Sequence, residues 1–460
     1  MKKITALLFT IVFILTAFLG TAQAAAPTYD GKTDANAIML VDAKTGKVLF
    51  EKNPDGQVYP ASTTKILTTM VVLENADLNQ EVKVGAEGEW TNTGYSLLKT
   101  KNGEKIKIKD LLYGMMIVSG DDAASTLALT VGGSEEHFVQ MMNETAQRIG
   151  MTHSHFVNPH GTDTDGQHVT ASDMAKLAVY AMQNETFRDI VGRASYDMPK
   201  TNKNPARTVK NTNKLLLSDD SEYYKYATGI KTGSTPKAFR CLVSSAKKGD
   251  MELICLTYGD ETQNGTNRWP IARDLFEFGF KNFRTVDMKK VFEAVEPVSV
   301  SVQNAADGTD TLSLNVENAG GEYQTFDKTL ADKVEAGDLK SKVSLTGGGE
   351  TLNAPVGKGD EVGTVDYIDD EGNVVYQGKL VASGSVEAAG EASAESTSKA
   401  QPSGNQSQTT PAKQDGMGVL GWILIAVGAV LLAALAILVV LIIMRKRRYA
   451  RRRAVRRRRR

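Results

Sequence analysis

Cysteine is nearly absent: Cys241 and Cys255 are the only two in 460 residues. One disulfide is the most they can form, so no disulfide scaffold holds this chain. They fall in apolar runs, 239–245 and 251–258, joined by Lys247-Lys248-Gly249-Asp250, which reads as a β-hairpin. Two buried thiols are expected there. Histidine is scarce too, and four of the five (His153, His155, His160 and His168) crowd one loop-like stretch. No His-Glu-x-x-His pattern accompanies them, so neither a metal nor a cofactor is expected. Internal repeats are missing, which argues against a solenoid or propeller. Long hydrophobic runs are missing as well, except at the two ends.

Those ends read as targeting and anchoring segments. Met1-Lys2-Lys3, an apolar run over 4–19 and Ala22-Gln23-Ala24 form the pattern of a secretory signal peptide, residues 1–24. Residues 417–444 are apolar and uncharged, longer than the ~20 residues that cross a bilayer. Arg-rich residues 445–460 follow at once, and positive flanks stay on the cytoplasmic side. A single transmembrane helix is expected, with the basic tail inside, near anionic lipid, and everything before 417 outside.

Equal numbers of basic and acidic residues, 54 each, hide an uneven spread. Fourteen of the basic ones lie in the tail and signal segment, where acids are absent, so the stretch between is net acidic. An acidic outer part excludes nucleic acid as the expected partner.

Between the ends, residues 38–42 and 48–52 flank Lys44-Thr45-Gly46 as a β-hairpin. A helical apolar stripe over 62–74 starts at Ser62, and further helical patterns cover 111–118, 123–131, 135–149 and 171–182. The cysteine-bearing hairpin and an amphipathic helix over 269–278 close this region. Strands at both ends with helices between predict an α/β domain over 27–286, one sheet flanked by helical layers. Residues 290–383 alternate apolar and polar with Gly and Asp punctuation, the mark of a small all-β domain. Residues 384–416 have almost no large apolar side chains and read as a disordered linker.

Three short strings lie in order: Ser62-Thr63-Thr64-Lys65, Ser119-Gly120-Asp121 and Lys231-Thr232-Gly233. Singly they mean little, because Ser-x-x-Lys recurs at Ser96/Lys99, Ser244/Lys247, Ser245/Lys248 and Ser396/Lys399, and a second Lys-Thr-Gly begins at Lys44. Ser62 and Lys65, three apart at a helix start, share a face. A serine hydroxyl needs a neighbouring base to become a nucleophile. A lysine can be that base when burial and a second cation, here Lys231, keep it neutral.

Pro60-Ala61-Ser62-Thr63-Thr64-Lys65, Ser119-Gly120-Asp121-Asp122-Ala123 and Lys231-Thr232-Gly233-Ser234 resemble the three motifs of D-alanyl-D-alanine carboxypeptidases, which are low-molecular-mass penicillin-binding proteins. Residues 155–161 and 239–258 are similar to further stretches of those enzymes, and the β-rich region resembles their C-terminal domain, so the likeness spans about 30–383. The resemblance implies a β-lactamase/transpeptidase-like fold and a serine peptidase at the bacterial cell membrane. Its reaction would remove the terminal D-alanine from peptidoglycan stem peptides through an acyl-enzyme. Ser62 would be the nucleophile, Lys65 the general base and Ser119 the proton relay. The backbone N–H groups of Ser62 and Ser234 would hold the oxyanion, and Lys231, Thr232, Asp121 and Arg240 would bind or orient substrate. β-Lactams, sharing the acyl-D-Ala-D-Ala shape, would acylate Ser62.

One position departs from the resemblance. The family's middle motif usually ends in asparagine, where this chain has Asp121. An amide donates and accepts, whereas an ionised carboxylate only accepts and raises the pKa of a neighbouring lysine. A protein with weakened catalysis that mainly binds wall peptides or β-lactams is one alternative. A serine β-lactamase is another, although no Glu-x-x-x-Asn string offers a deacylation base between Asp121 and Lys231.

Overall fold

The structure, a computed structural model, describes residues 27–389 apart from 89, 91–93, 263–264, 307 and 309. The expected signal peptide, membrane span and basic tail lie outside the described residues, as does most of the expected linker. Among the described residues no helix is long and apolar enough to cross a membrane.

A hairpin, β1 (Ala37–Asp42) and β2 (Val48–Lys52), opens the fold. Two small hairpins, β3 (Glu81–Lys83) with β4 (Lys105–Lys107) and β5 (Ser195–Met198) with β6 (Arg207–Lys210), decorate the helical part. Then β7 (Ala227–Thr235), β8 (Phe239–Lys248) and β9 (Met251–Asp260) complete an antiparallel sheet in the order β2-β1-β9-β8-β7. Both ends of the domain thus build one sheet, with β1 paired to β9.

Every residue of β1 and β9 is buried. A strand covered on both faces reads as a continuous apolar run, and period two decides only which layer each side chain meets. In β1, Ile38 and Leu40 turn towards helix α7 (Arg268–Asn282) and pack with its Trp269, Leu275 and Phe276. Met39 and Val41 turn to the opposite face, which carries α1 (Lys65–Asn75), α2 (Ile108–Ile117), α3 (Asp121–Gly132), α4 (Glu135–Arg148), α5 (Ala171–Ala181) and α6 (Glu185–Val191). Caps set several of these starts: the side chains of Ser134, Thr170 and Asn184 accept from the first-turn N–H groups of α4, α5 and α6. Cys255 stands opposite Ser244 rather than Cys241 on the neighbouring strand, and both thiols are free and buried. Burial pushes the Cys241 thiol up to about 12, so it stays protonated and inert.

The second region differs from the expected small all-β domain. A six-stranded sheet in the order β14-β16-β17-β12-β11-β15 forms it, from β11 (Val298–Gln303), β12 (Thr311–Asn318), β14 (Lys340–Leu345), β15 (Thr351–Asn353), β16 (Glu361–Ile368) and β17 (Val374–Ala382). A further pair, β10 (Phe283–Asp287) with β13 (Tyr323–Asp327), ties residues 283–287 to this region, a few residues before the expected boundary. Two helices, α8 (Met288–Glu293) and α9 (Lys328–Ala336), also contribute to its core through Phe292, Ala331 and Val334. The stripe in α9 is too short to stand out as helical in sequence. Residues 384–389, expected to open the linker, are fastened to the same core: Val386 is buried and bridges Val356.

The turn between β1 and β2 holds the two regions together. Asp42 Oδ1 accepts from the N–H groups of Lys44 (2.7 Å) and Thr45 (2.9 Å), and Asp42 Oδ2 accepts from the Thr285 hydroxyl. Thr45 Oγ1 lies 2.8 Å from Thr325 Oγ1, and Lys44 Nζ sits 3.1 Å over the Tyr323 ring. The stray Lys44-Thr45-Gly46 is therefore a joint. A cavity of about 900 Å3 opens beside it, lined by Lys44, Arg284 and Tyr323 but by no residue of the three motifs.

Candidate active site

Ser62 sits in a single 3-10 turn, Ala61–Thr64, that runs directly into α1. The turn is pinned from below: Thr63 Oγ1 donates to Pro60 O at 2.7 Å and lies 3.2 Å from the hydroxyl of the fully buried Tyr258 on β9. Two glycines let other backbone press against it. A Cβ on Gly161 would stand 1.8 Å from the Ala61 carbonyl oxygen, and one on Gly233 would stand 3.0 Å from the Ala61 Cβ. Gly161 also has a φ of +90°, which side-chain-bearing residues rarely adopt. The His160-Gly161 loop and β7 thus close on the serine turn from two sides.

Lys65 is completely buried, with its Nζ 3.0 Å from Ser62 Oγ, 2.6 Å from Asp121 Oδ1 and 2.7 Å from the His160 carbonyl oxygen. A neutral amine has two N–H donors and one lone pair. In that form the carboxylate and the carbonyl would take the two donors and leave the lone pair for the serine hydroxyl. Burial lowers the Lys65 pKa, and Asp121 pulls the other way without reversing the direction. The effect expected of Asp121 is present, and desolvation outweighs it.

Asp121 is itself held at both oxygens. Its Oδ2 accepts from the Ser96 N–H at 3.0 Å, and its own N–H donates to Ser96 O at 2.7 Å. The next residue, Asp122, takes the N–H groups of Leu98 (2.8 Å) and Thr100 (2.9 Å), so the start of α3 grips the 96–100 loop. Ser119, buried just before α3, has a φ of +64°. Among the described residues its hydroxyl makes no hydrogen bond to Ser62, Lys65 or Lys231.

Strand β7 delivers the third motif. Lys231 is buried beneath the site, its Nζ donating to Thr232 O at 3.1 Å. Burial lowers its pKa well below the usual lysine value, and the nearby Lys65 side chain adds in the same direction. Thr232 Oγ1 lies 2.7 Å from Thr212 Oγ1. Ser234 is exposed, and Arg240 stands opposite it on β8 and donates to its hydroxyl. Thr212, the backbone of Ser96 and the His160 carbonyl belong to none of the three sequence motifs.

Sequence and structure comparisons place the chain among known proteins. The sequence profile of the D-alanyl-D-alanine carboxypeptidases matches residues 21–262, which include all three motifs. D-alanyl-D-alanine carboxypeptidase DacC of Escherichia coli is 33% identical over 371 residues, covering 78% of this chain and 85% of that one. The chain belongs to the D-alanyl-D-alanine carboxypeptidase family. DacF of Bacillus subtilis is 29% identical over 376 residues, covering 79% of this chain and 90% of its own. Among solved structures, penicillin binding protein 5 from Haemophilus influenzae superposes with a TM-score of 0.62 at 26% identity, covering 78% of this chain and 99% of that one. The likeness therefore runs through the β-rich region as well as the α/β domain.

Within this family member the loop histidines have separate tasks. His155 and His168 pair through their backbones, and His153 gives its N–H to Asp173. The His160 ring packs edge-on to Trp90 at 5.3 Å, and burial, reinforced by Lys65, holds its pKa down at about 4. Among the described residues no cluster of three or more histidine, cysteine or acidic side chains could hold a metal ion.

Proposed function

We propose that this chain is a serine D-Ala-D-Ala carboxypeptidase acting on peptidoglycan stem peptides, with Ser62 as nucleophile and neutral Lys65 as its base. The contact of 3.0 Å between the buried Lys65 Nζ and Ser62 Oγ carries the reading. Lys65 takes the hydroxyl proton as Ser62 Oγ attacks the carbonyl between the two terminal D-alanines. The N–H groups of Ser62 and Ser234 stabilise the oxyanion, the largest electrostatic contribution. The C–N bond then breaks, the departing D-alanine amine gains a proton through Ser119, and an ester remains on Ser62. Water attacks that ester as Lys65 takes its proton, the bond from the acyl carbon to Ser62 Oγ breaks, and the proton returns to Ser62 Oγ as the shortened peptide leaves. Lys231 tunes the field beneath the site, and Thr232 with Arg240 receives the substrate's terminal carboxylate. Penicillin acylates the same oxygen and leaves slowly.

The catalytic part faces outwards, held by the 417–444 span, with 445–460 in the cytoplasm. The 2.6 Å contact of Asp121 with Lys65 favours one second reading, a protein that binds stem peptides or β-lactams covalently and turns over weakly. Free D-alanine released from a pentapeptide ending in D-Ala-D-Ala separates the two. Release well above a Ser62→Ala control supports the carboxypeptidase, and release equal to that control overturns it.

A further inference from the structure

The loop that carries His160 reaches further than Lys65. Asp163 Oδ1 accepts from Thr235 Oγ1 at 2.6 Å, and its Oδ2 accepts from the Lys237 N–H at 2.9 Å. Thr235 ends β7 and is the residue after Ser234; Lys237 lies in the turn to β8. On the other side of that turn, Lys237 Nζ sits 5.3 Å over the Tyr59 ring, just before the serine turn. The loop itself is wound tight by Asn158, which accepts from Gly161 N at 2.6 Å and donates to Thr162 O at 3.1 Å. Three residues within four positions therefore touch three parts of the site: His160 holds Lys65, Gly161 abuts Ala61, and Asp163 holds the end of β7.

We infer that Asp163 is a positioning residue that fixes the end of β7 against the Ser62 turn, and so sets the width of the oxyanion hole. The inference rests on the proposed roles of Ser62 and Ser234. Oxyanion donors act only where their N–H groups point at the developing charge, so a strand free to drift by a fraction of an ångström weakens both acylation and deacylation. Asp163 touches neither Ser62 nor Lys65 and stands partly exposed, so its removal loosens the gap and spares the core.

The test measures the rate constant and the final stoichiometry of labelling by a fluorescent penicillin, on the full chain. Asp163→Ala should acylate on the order of 10-fold more slowly than wild type, while the final label per molecule stays at the wild-type level. D-alanine release should show a lower kcat with KM little changed. Asp163→Asn, whose amide oxygen keeps one of the two bonds, should recover part of the rate. Thr235→Val cuts the same link from the other partner, and the double variant should be no slower than either single one. A wild-type rate constant in Asp163→Ala overturns the inference. So does reduced stoichiometry with a normal rate in the remaining fraction, which marks a purely structural role. Wild-type protein that takes no label while Ser62→Ala behaves identically overturns the catalytic reading as well.

Discussion

Asp121 Oδ1 lies 2.6 Å from Lys65 Nζ, and its other oxygen is occupied by the Ser96 N–H at 3.0 Å. A carboxylate serves both donors with one side chain, whereas an asparagine offers one oxygen and one NH2 group. The acid at this position thus fits the backbone of the 96–100 loop as well as the lysine.

Its charge should show in the pH profile. The proposed mechanism needs unprotonated Lys65, and Asp121 raises the pKa of that group while burial lowers it. Replacing Asp121 by Asn removes the raising influence alone. The acid limb of kcat/KM for D-alanine release should therefore move to lower pH in Asp121→Asn. The loss of one hydrogen bond should cost about 1–3 kcal/mol of stability, read by urea unfolding. An acid limb that stays in place would show that Lys65 does not set it.

The two glycines beside the serine turn should differ sharply. Gly161→Ala drives a Cβ to 1.8 Å from a backbone oxygen at a φ of +90°. Backbone must move, and a destabilisation of more than about 2 kcal/mol with loss of penicillin labelling is expected. In Gly233→Ala the new Cβ meets the Ala61 Cβ at 3.0 Å and the Pro60 carbonyl oxygen at 3.1 Å, contacts that a shift of a few tenths of an ångström relieves. That variant should fold with nearly normal stability and acylate more slowly, which denaturation curves and label kinetics together would reveal.

His160 should make the fold sensitive to acid. Its folded-state pKa of about 4 lies below the unfolded value of 6.5, so the unfolded chain takes up a proton first. Stability from this group is complete above 6.5 and declines as pH falls towards 4, by on the order of 3 kcal/mol. Urea midpoints between pH 7 and pH 4 should fall less in His160→Gln than in wild type. Parallel declines in the two proteins would assign the acid sensitivity elsewhere.

The sequence exposed the parts of the site that side-chain types advertise. Ser62 and Lys65 could be paired because three residues at a helix start share a face, and strand patterns at both ends of the domain pointed to one joint sheet. The rest works through backbone. The His160 carbonyl that receives Lys65 has no side-chain signature, and Ser96 entered only as a stray Ser-x-x-Lys although its N–H and carbonyl grip Asp121. Close approaches at Gly161 and Gly233 depend on neighbours more than 90 residues away in sequence. Lys44-Thr45-Gly46 was legible as a turn, but its partners Thr325 and Tyr323 lie in the other region. Helix α9 escaped because its short apolar stripe sits among strand-like alternation.

The central claim is that neutral Lys65 activates Ser62. Its most direct test is the rate at which penicillin mass is added to the Ser62 peptide, followed by mass spectrometry in wild type and Lys65→Arg. Arginine keeps its proton at every working pH and cannot act as the base. Stoichiometric modification of Ser62 is expected in wild type and almost none in Lys65→Arg from pH 6 to 9, with both proteins folded. Modification of Ser62 at the wild-type rate in Lys65→Arg would contradict it.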